Sequence, residues 1–530
     1  MRAPAVLDVP GLLGLFGARA DQPALTFYRG KSLDGRLTYG ELSSKVEALA
    51  ARLSGELGVR AGDRVAILAP NRLEVPVLVL AVLRLGAVVV PLNPGAAADD
   101  WAYILRHSGV RGLCATDDLA GRVPSSSLPA FSLRIEDAFT AKTPARAPAP
   151  ERPLADHMAV VLYTSGTTGN PKGVALRQSS LFWNAWSMAQ NFRLEGTTQL
   201  AVLPLYHAHA FGFGLMTALT TGGHLVFTER LEPFTVAEVL RREQVSVMSV
   251  VPTLIPMLLA GRVTRDSVPG LRHILVSSAP LPTAVARDFE EKTKIPLIQG
   301  WGLSEYTNFA CCVSPFVTDE EHRELMFGWE VPSMGPSLES AEVRVEGPGG
   351  GSASEGERGE LMIRGHSRML GYLEDPETTA RTIDSEGWLR TGDEGFFRLH
   401  GGRQVFFVTG RLKEIIIRDA EKYSPLRLEG RIVAAVPEVS GKLVVLGFAH
   451  KEHGEEVGAY LEMEGVDDSL RARLSEAVQS LPVAERPKVI LYGTEPIPRT
   501  HTGKIQRRKM QPWFAGYEGH RGAMVIEARR

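Results

Sequence analysis

Cysteine is scarce in this chain: 530 residues contain three, Cys114, Cys311 and Cys312. No C-x-x-C spacing occurs, and the vicinal pair is poorly suited to bridging itself. A disulfide scaffold is therefore excluded, and three buried thiols in a reducing compartment are expected. Charge imbalance is also lacking, since 59 Lys and Arg face 61 Asp and Glu for a net charge of -2. That balance gives no signal for nucleic acid or an anionic membrane as partner. Long apolar runs are missing too. The longest, 75–92, contains Arg84 and is bounded by Pro76 and Pro91, so it reads as a buried helix followed by a strand and not as a membrane span. Near the start, Asp8 and Pro10 interrupt a short apolar stretch. No signal peptide is expected there, and the expected location is cytoplasmic. No repeat at solenoid or propeller periods is present.

What remains is an ordinary globular composition, 44% hydrophobic and 23% charged. At about 100–200 residues per domain, the length suggests roughly three or four packing units. Residues 141–152 (AKTPARAPAPER) are rich in Pro and Ala and read as a linker. Residues 347–359 (GPGGGSASEGERG) read as a flexible turn. Between them strands and helices alternate. An apolar run over 160–163 stops at TSGTTG. Leu181, Ala185, Met188, Ala189 and Phe192 then fall on one helical face, with Ser179 or Ser180 as a possible cap. Residues 200–203 form a short apolar run ending at Pro204. A helical stretch with Ala237, Val239 and Leu240 feeds a strand-like 245–251, and 274–277 is another strand candidate. This alternation predicts an α/β fold with largely parallel sheets, and the shorter, more charged segments from about Gly410 predict a small α+β domain.

The most informative segment runs from Tyr163 to Gly173. Gly166, Gly169 and Gly173 allow backbone N–H groups to approach an anion. The hydroxyls of Thr164, Ser165, Thr167 and Thr168 can donate to phosphate oxygens, and Lys172 adds a point charge. It is not a Walker A loop, because Lys172 precedes Gly173 and no Gly-Lys-Ser/Thr follows. A bland Ser/Thr/Gly surface turn is the alternative. The strand before it and the helix after it favour a phosphate cradle.

TSGTTGNPKG resembles the phosphate-loop signature of the adenylate-forming superfamily, which includes acyl-CoA synthetases, nonribosomal adenylation domains and beetle luciferases. Further segments match that family in order along nearly the whole chain: Leu37-Thr38-Tyr39; the LGAVVVPLNP run at 85–94; Pro204-Leu205-Tyr206-His207; Gln299-Gly300-Trp301-Gly302-Leu303-Ser304-Glu305; Gly387-Trp388-Leu389-Arg390-Thr391-Gly392-Asp393; Gly410-Arg411-Leu412-Lys413; and Pro498-Arg499-Thr500-His501-Thr502-Gly503-Lys504-Ile505. The resemblance implies a large N-terminal domain of β-sheets flanked by helices, residues 1–410. A small mobile C-terminal α+β domain, 411–530, would turn about Lys413.

The resemblance also implies roles. ATP would be held by the phosphate loop, by Ser278, Ala279 and Pro280 beside adenine, by Gly300, Trp301, Gly302 and Ser304, and by Asp393 and Arg411 at ribose or phosphate. Mg2+ would sit on Glu305 with Thr168. Lys504 would offset charge during adenylation, and His207 would lie near the acyl carboxylate. His209 has no family match and reads as pocket lining or a satisfied core histidine. Tyr206, Ala208, Ala210, Phe211, Gly212, Phe213 and Gly214 suggest an apolar slot. Ala208, where amino-acid-activating relatives carry Asp, disfavours α-amino acids. A fatty or aryl acid is therefore the expected small-molecule substrate. It would be activated to an acyl-adenylate and passed to CoA or to the phosphopantetheine of a carrier protein. Two departures stand out. Trp301 replaces the more usual Tyr, and Ala420, flanked by Asp419 and Glu421, replaces a glycine past which a pantetheine thiol would run. The second leaves the acceptor open between free CoA and a carrier-bound thiol. An amide-forming ligase or a non-catalytic nucleotide-binding homologue would share the motifs. The tail 513–530 lies beyond the last of them.

Overall fold

A computed structural model describes residues 3–140, 147–164, 170–329, 331–419, 421–500 and 504–529. Ser165, Gly166, Thr167, Thr168, Gly169 and Ala420 lie outside the described residues, as do His501, Thr502 and Gly503.

The chain up to Arg411 builds three sheets. A 7-stranded sheet runs, edge to edge, through Gly371–Tyr372, Lys172–Arg177, Met158–Thr164, Val88–Leu92, Arg64–Leu68, Gly112–Ala115 and Phe131–Arg134. An 8-stranded sheet runs through Phe309–Cys312, Leu297–Gly302, His273–Val276, Val247–Val250, Thr198–Ala201, His224–Thr228, Pro23–Arg29 and Ser32–Thr38. The central pairings of both are parallel. Helices cover both faces, so strands such as Val88–Leu92 and His224–Thr228 are buried along their whole length. The third sheet is antiparallel and 4-stranded: Ala341–Glu346, Gly359–Gly365, Leu389–His400 and Arg403–Arg411. Cys114, Cys311 and Cys312 are buried and unbridged.

The strand and helix expectations hold with small shifts at the ends, with one correction: the Ser/Thr/Gly loop is followed not by a helix but by the strand Lys172–Arg177, whose apolar Val174, Ala175 and Leu176 are buried as it pairs antiparallel with Met158–Thr164, and the helix begins only at Gln178. The run at 75–92 is the helix Glu74–Arg84 followed by the strand Val88–Leu92. The helix Gln178–Phe192 buries all five periodic residues, Leu181, Ala185, Met188, Ala189 and Phe192. Its start differs from expectation: neither Ser179 nor Ser180 caps it. Both lie inside the first turn, and the Arg177 cap position makes no side-chain bond. The reason is Gln178, whose buried amide donates to Leu83 O at 2.7 Å and accepts from Val9 N at 2.9 Å. Those two bonds accompany a first turn that starts two or three residues earlier than a cap at Ser179 or Ser180 would set.

After Arg411 a short 3-10 turn, Leu412–Glu414, leads to a further 6-stranded sheet. It contains Ile416–Arg418, Glu421–Tyr423, Leu443–His450, Gly454–Glu462, Val489–Gly493 and Val525–Ala528. The helices Pro425–Ala435 and Asp468–Gln479 pack on it over a core of their own, including Ile432, Val445, Leu461, Leu474 and Ile490. The tail joins this sheet. Phe514 is buried and stacks on Phe448 with ring centroids 5.1 Å apart, and Val525–Ala528 pairs in parallel with Val489–Tyr492. Among the described residues, no helix is long and apolar enough to cross a membrane.

Candidate active site

The site lies where the ends of three sheets converge. In the 7-stranded sheet, Thr164 pairs with Lys172 at the open end of the hairpin that carries the Ser/Thr/Gly loop. Lys172 Nζ lies over the Tyr372 ring, 5.1 Å from its centroid. The Tyr372 hydroxyl donates to Glu305 Oε1 at 2.9 Å. Glu305 stands on the 3-10 turn Ser304–Tyr306, directly after the strand Leu297–Gly302. That turn is pinned from below: Met369 N donates to Glu305 O at 2.8 Å, and Thr307 Oγ1 donates to Ser367 O at 2.7 Å. Glu305 is therefore held by its backbone as well as its side chain, and Tyr372 links it to Lys172. Burial and the Glu305 carboxylate together push the Tyr372 phenol well above its ordinary pKa, so it remains a donor.

The antiparallel sheet supplies the second cluster. Gly392, at φ +69°, turns the chain into Asp393, and the register places Asp393 opposite Arg411. Arg411 Nε meets Asp393 Oδ1 at 2.7 Å. Trp301 Nε1 donates to Asp393 Oδ2 at 2.8 Å. Both oxygens of a side chain only 7% exposed are thus engaged, one by a cation and one by an indole. The Asp393 charge in turn holds the Arg411 guanidinium pKa above its ordinary value, against the effect of burial. Trp301 itself is 7% exposed and packs in a core with Tyr306, Cys311, Met334 and Phe406. The two flanking glycines are required: a Cβ on Gly302 would lie 1.7 Å from Asn308 O, and one on Gly300 would lie 2.7 Å from the Phe309 ring.

The last sheet brings in the third element. Lys504 is exposed, yet nearby protein desolvates it enough to hold its ammonium pKa below the usual lysine value. Desolvation is the main cause and the Arg411 charge adds to it. Asp393, Glu305 and Glu414 oppose both. Lys504 therefore shares one electrostatic field with Glu305 and Asp393. Lys413 is also held below its ordinary value, by desolvation first and Arg411 second. Arg507, three residues past Lys504, is buried. It donates to Val445 O at 2.9 Å, to Glu414 at 2.9 Å and to Glu429 at 2.7 Å. Glu414 lies in the connecting turn, so Arg507 ties the Lys504 segment to the start of this sheet.

The expected acyl side forms a separate patch. Tyr206 and His207 have ring centroids 4.4 Å apart. Ala208 packs on the main core, and Phe211, Gly212 and Phe213 are buried in a π-helical segment, Ala210–Met216. His209 is buried, and burial pulls its pKa down to about 3, so the ring is neutral. Its Nδ1 lies 3.2 Å from Ser278 Oγ, while its Nε2 has no hydrogen-bond partner among the described residues. Ser278 has φ +73°, a conformation that disfavours a side chain. Ala279 is partly buried beside it and Pro280 is exposed. This bond joins the acyl-side motif to the segment 277–280.

The structure therefore brings together Lys172, Glu305, Trp301, Asp393, Arg411, Lys413 and Lys504, with Gly300, Gly302 and Ser304 as their support. Tyr206, His207 and Phe211 form a separate patch, linked to the segment 277–280 through His209 and Ser278. Sequence reading missed Tyr372, which follows a glycine with no chemical pattern around it, and Arg507, which reads as one of three consecutive basic residues.

A family model described as AMP-binding enzyme matches residues 17–373. The chain belongs to this family. Among curated relatives, 4-coumarate--CoA ligase-like 9 of Arabidopsis thaliana is 30% identical over 504 residues, covering 92% of this chain and 86% of the relative. Sulfoacetate--CoA ligase of Cupriavidus necator is 30% identical over 533 residues, covering 96% and 98%. Among solved structures, ATP-bound MatB from Rhodopseudomonas palustris superposes with a TM-score of 0.83 at 24% identity, covering 96% of this AMP-binding enzyme and 99% of that chain. MenE of Bacillus subtilis, solved with its acyl-adenylate OSB-AMP, superposes at 0.79 and 24%, covering 94% and 97%. At these identities the superpositions establish the fold, an adenylate-forming α/β architecture.

Proposed function

We propose that this AMP-binding enzyme is an acid–thiol ligase. It activates a small carboxylic acid with ATP to an acyl-adenylate, releasing pyrophosphate, and then passes the acyl group to the thiol of CoA, releasing AMP. The carrying observation is the pair of fixed carboxylates, Glu305 held by Tyr372 and Asp393 held by Trp301 and Arg411, with Lys172 over the Tyr372 ring.

In the first half-reaction the substrate carboxylate attacks the α-phosphorus, and the bond from that phosphorus to the α,β-bridging oxygen breaks, so that pyrophosphate leaves. Asp393 accepts from the ribose hydroxyls, and Arg411 holds Asp393 in place. Lys504 sets its ammonium where negative charge accumulates between the attacking carboxylate and the α-phosphate. The hairpin loop after Thr164, closed by Lys172, grips the outer phosphates. Glu305 offers one carboxylate whose Oε1 is already oriented by Tyr372 and whose other oxygen has no hydrogen bond among the described residues. A single carboxylate of this kind suits Mg2+, which keeps most of its waters. When bound there, the ion would neutralise charge on the phosphates.

In the second half-reaction the thiol attacks the acyl carbon, and the bond to the AMP phosphate oxygen breaks. His207 lines the acyl side of that reaction. The connecting turn at Lys413 is the hinge about which the residues after that turn rotate between the two steps, while Arg411 stays with Asp393. The buried Phe211 and Phe213 beside Ala208 favour an aryl or fatty acid. CoA is the acceptor in the names of the relatives. The Asp419 charge faces Arg418 at 4.0 Å and His453 at 2.8 Å, so it does not stand alone against the coenzyme's phosphates.

The test is ATP–pyrophosphate exchange across fatty, aryl and amino acids, followed by AMP release with CoA, with a pantetheine-loaded carrier protein, or with an amine. Exchange with an aryl or fatty acid and AMP release with CoA are expected. No exchange with any acid would refute the reading. Turnover only with a carrier protein or an amine would move the acceptor.

A further inference from the structure

The bond between Trp301 Nε1 and Asp393 Oδ2 has a consequence for which nucleotide the enzyme accepts. An ionised carboxylate has about four lone-pair positions, two on each oxygen. At Asp393, Trp301 occupies one position on Oδ2 at 2.8 Å, and Arg411 Nε occupies one on Oδ1 at 2.7 Å. The main-chain N–H of Asp393 donates to Thr391 Oγ1 at 3.1 Å, which fixes the backbone beneath. With one donor on each oxygen, the carboxylate plane cannot rotate about its last bond without breaking both. What remains is one acceptor position per oxygen, side by side, on a group whose charge reaches the cleft occupied by Lys504 and Lys413. Two adjacent acceptors of this kind match two hydroxyls on neighbouring carbons.

Trp301 is well placed to enforce that orientation. Its strand is locked by Gly300 and Gly302, neither of which has room for a side chain, and Trp301 pairs with Cys311 across the hairpin. The indole is buried in the core between the 8-stranded and the antiparallel sheets. Its N–H is on the ring edge. A tyrosine would carry its hydroxyl at the far end of the ring, and a phenylalanine would carry no donor.

Building on the ribose role given to Asp393 above, we infer that Trp301 is a positioning and specificity residue. Through its indole N–H it holds Asp393 so that the enzyme requires a vicinal diol and discriminates ribonucleotides from nucleotides lacking either hydroxyl.

The experiment measures binding of AMP, 2′-deoxy-AMP and 3′-deoxy-AMP by titration calorimetry to the full-length enzyme. It compares the natural protein, Trp301→Phe, and a protein with 3-benzothienylalanine at position 301, which keeps the ring size and removes only the N–H. The natural enzyme should prefer AMP by about 10- to 100-fold over either deoxy form, the scale of one hydrogen bond to a charged group. Both altered proteins should lose about 10-fold for AMP and little for the deoxy forms, so that the preference collapses toward a few-fold. KM for ATP should rise by a similar factor while kcat at saturating ATP stays nearly constant. Equal weakening for all three nucleotides, or a benzothienylalanine protein that discriminates like the natural one, would overturn the inference. If Trp301→Phe fails to fold by circular dichroism, the benzothienylalanine protein decides alone. Failure of the natural enzyme to bind AMP at all would instead overturn the proposed function and this inference with it.

Discussion

The two sides of the cleft are held in different ways. On the large side, Glu305 and Asp393 are fixed by bonds within and between sheets: Tyr372 and Met369 N on one, Trp301, Arg411 and Thr391 on the other. On the small side, Lys504 makes no side-chain hydrogen bond or ion pair to the large side among the described residues. It is carried on a segment that Arg507 ties to Glu414 and Glu429 within its own part of the chain. Under the proposed function, the large side is a preorganised receptor for the nucleotide and the small side supplies a cation that arrives and leaves as a unit. The two half-reactions are then served by a nucleotide grip that stays fixed and a charge-stabilising group that moves.

Changes that break either side separate the two roles. The largest effect is expected from Arg507→Ala, which strands two partly buried carboxylates, Glu414 and Glu429. Burial already pushes the Glu429 carboxyl above its ordinary pKa even with Arg507 beside it. Removing one partner of such a buried network costs about 3–5 kcal/mol. In denaturant melts, the segment after Arg411 should unfold earlier while nucleotide binding by the large side persists. Next is Asp393→Asn, which leaves Arg411 and Trp301 facing a neutral amide. AMP affinity should fall by about 10- to 100-fold, the value of charged hydrogen bonds, with the melting curve of the small sheet unchanged. Tyr372→Phe frees Glu305 Oε1 without adding volume. A loss of about fivefold in pyrophosphate exchange is expected, near the net value of one hydrogen bond.

The smallest change is in pH. The proposed adenylation step needs Lys504 protonated, and its pKa lies below the usual lysine value because nearby protein desolvates it and Arg411 repels it. Exchange activity should therefore fall as pH rises, beginning below the range in which an ordinary lysine titrates. Lys504→Arg, which stays charged, should retain whatever activity it has across that alkaline range. An alkaline limb unchanged in Lys504→Arg would assign it to another group.

Much of this architecture was readable from residue order. The face Leu181, Ala185, Met188, Ala189 and Phe192 announced a helix because its burial has a single period. The motif order singles out Glu305, Asp393, Arg411 and Lys504 as candidates. What the sequence could not disclose depends on cross-strand register and on partners distant in the chain. The Asp393–Arg411 pair is a register fact of two antiparallel strands, and the Trp301 bond spans 92 positions. Tyr372 enters the site only because a two-residue strand, Gly371–Tyr372, adds to the edge of the hairpin carrying Lys172. The tail gave no pattern because Val525–Ala528 is a four-residue parallel edge strand, too short to show a period before its partner Val489–Tyr492 is known. At Gln178, a polar residue that reads as surface is buried, and its two backbone partners displaced the expected serine cap.

The central claim is that Lys504 acts only when the small side closes on the nucleotide. The direct measurement is Lys504→Ala assayed in both half-reactions: ATP–pyrophosphate exchange with the preferred acid, and thioester formation from preformed acyl-adenylate and CoA. The account predicts that exchange falls by about 10²–10³, as for removal of one aimed charge-stabilising donor, while thioester formation stays within a few-fold of the natural enzyme. Equal loss in both steps, or exchange at the natural rate, would contradict it.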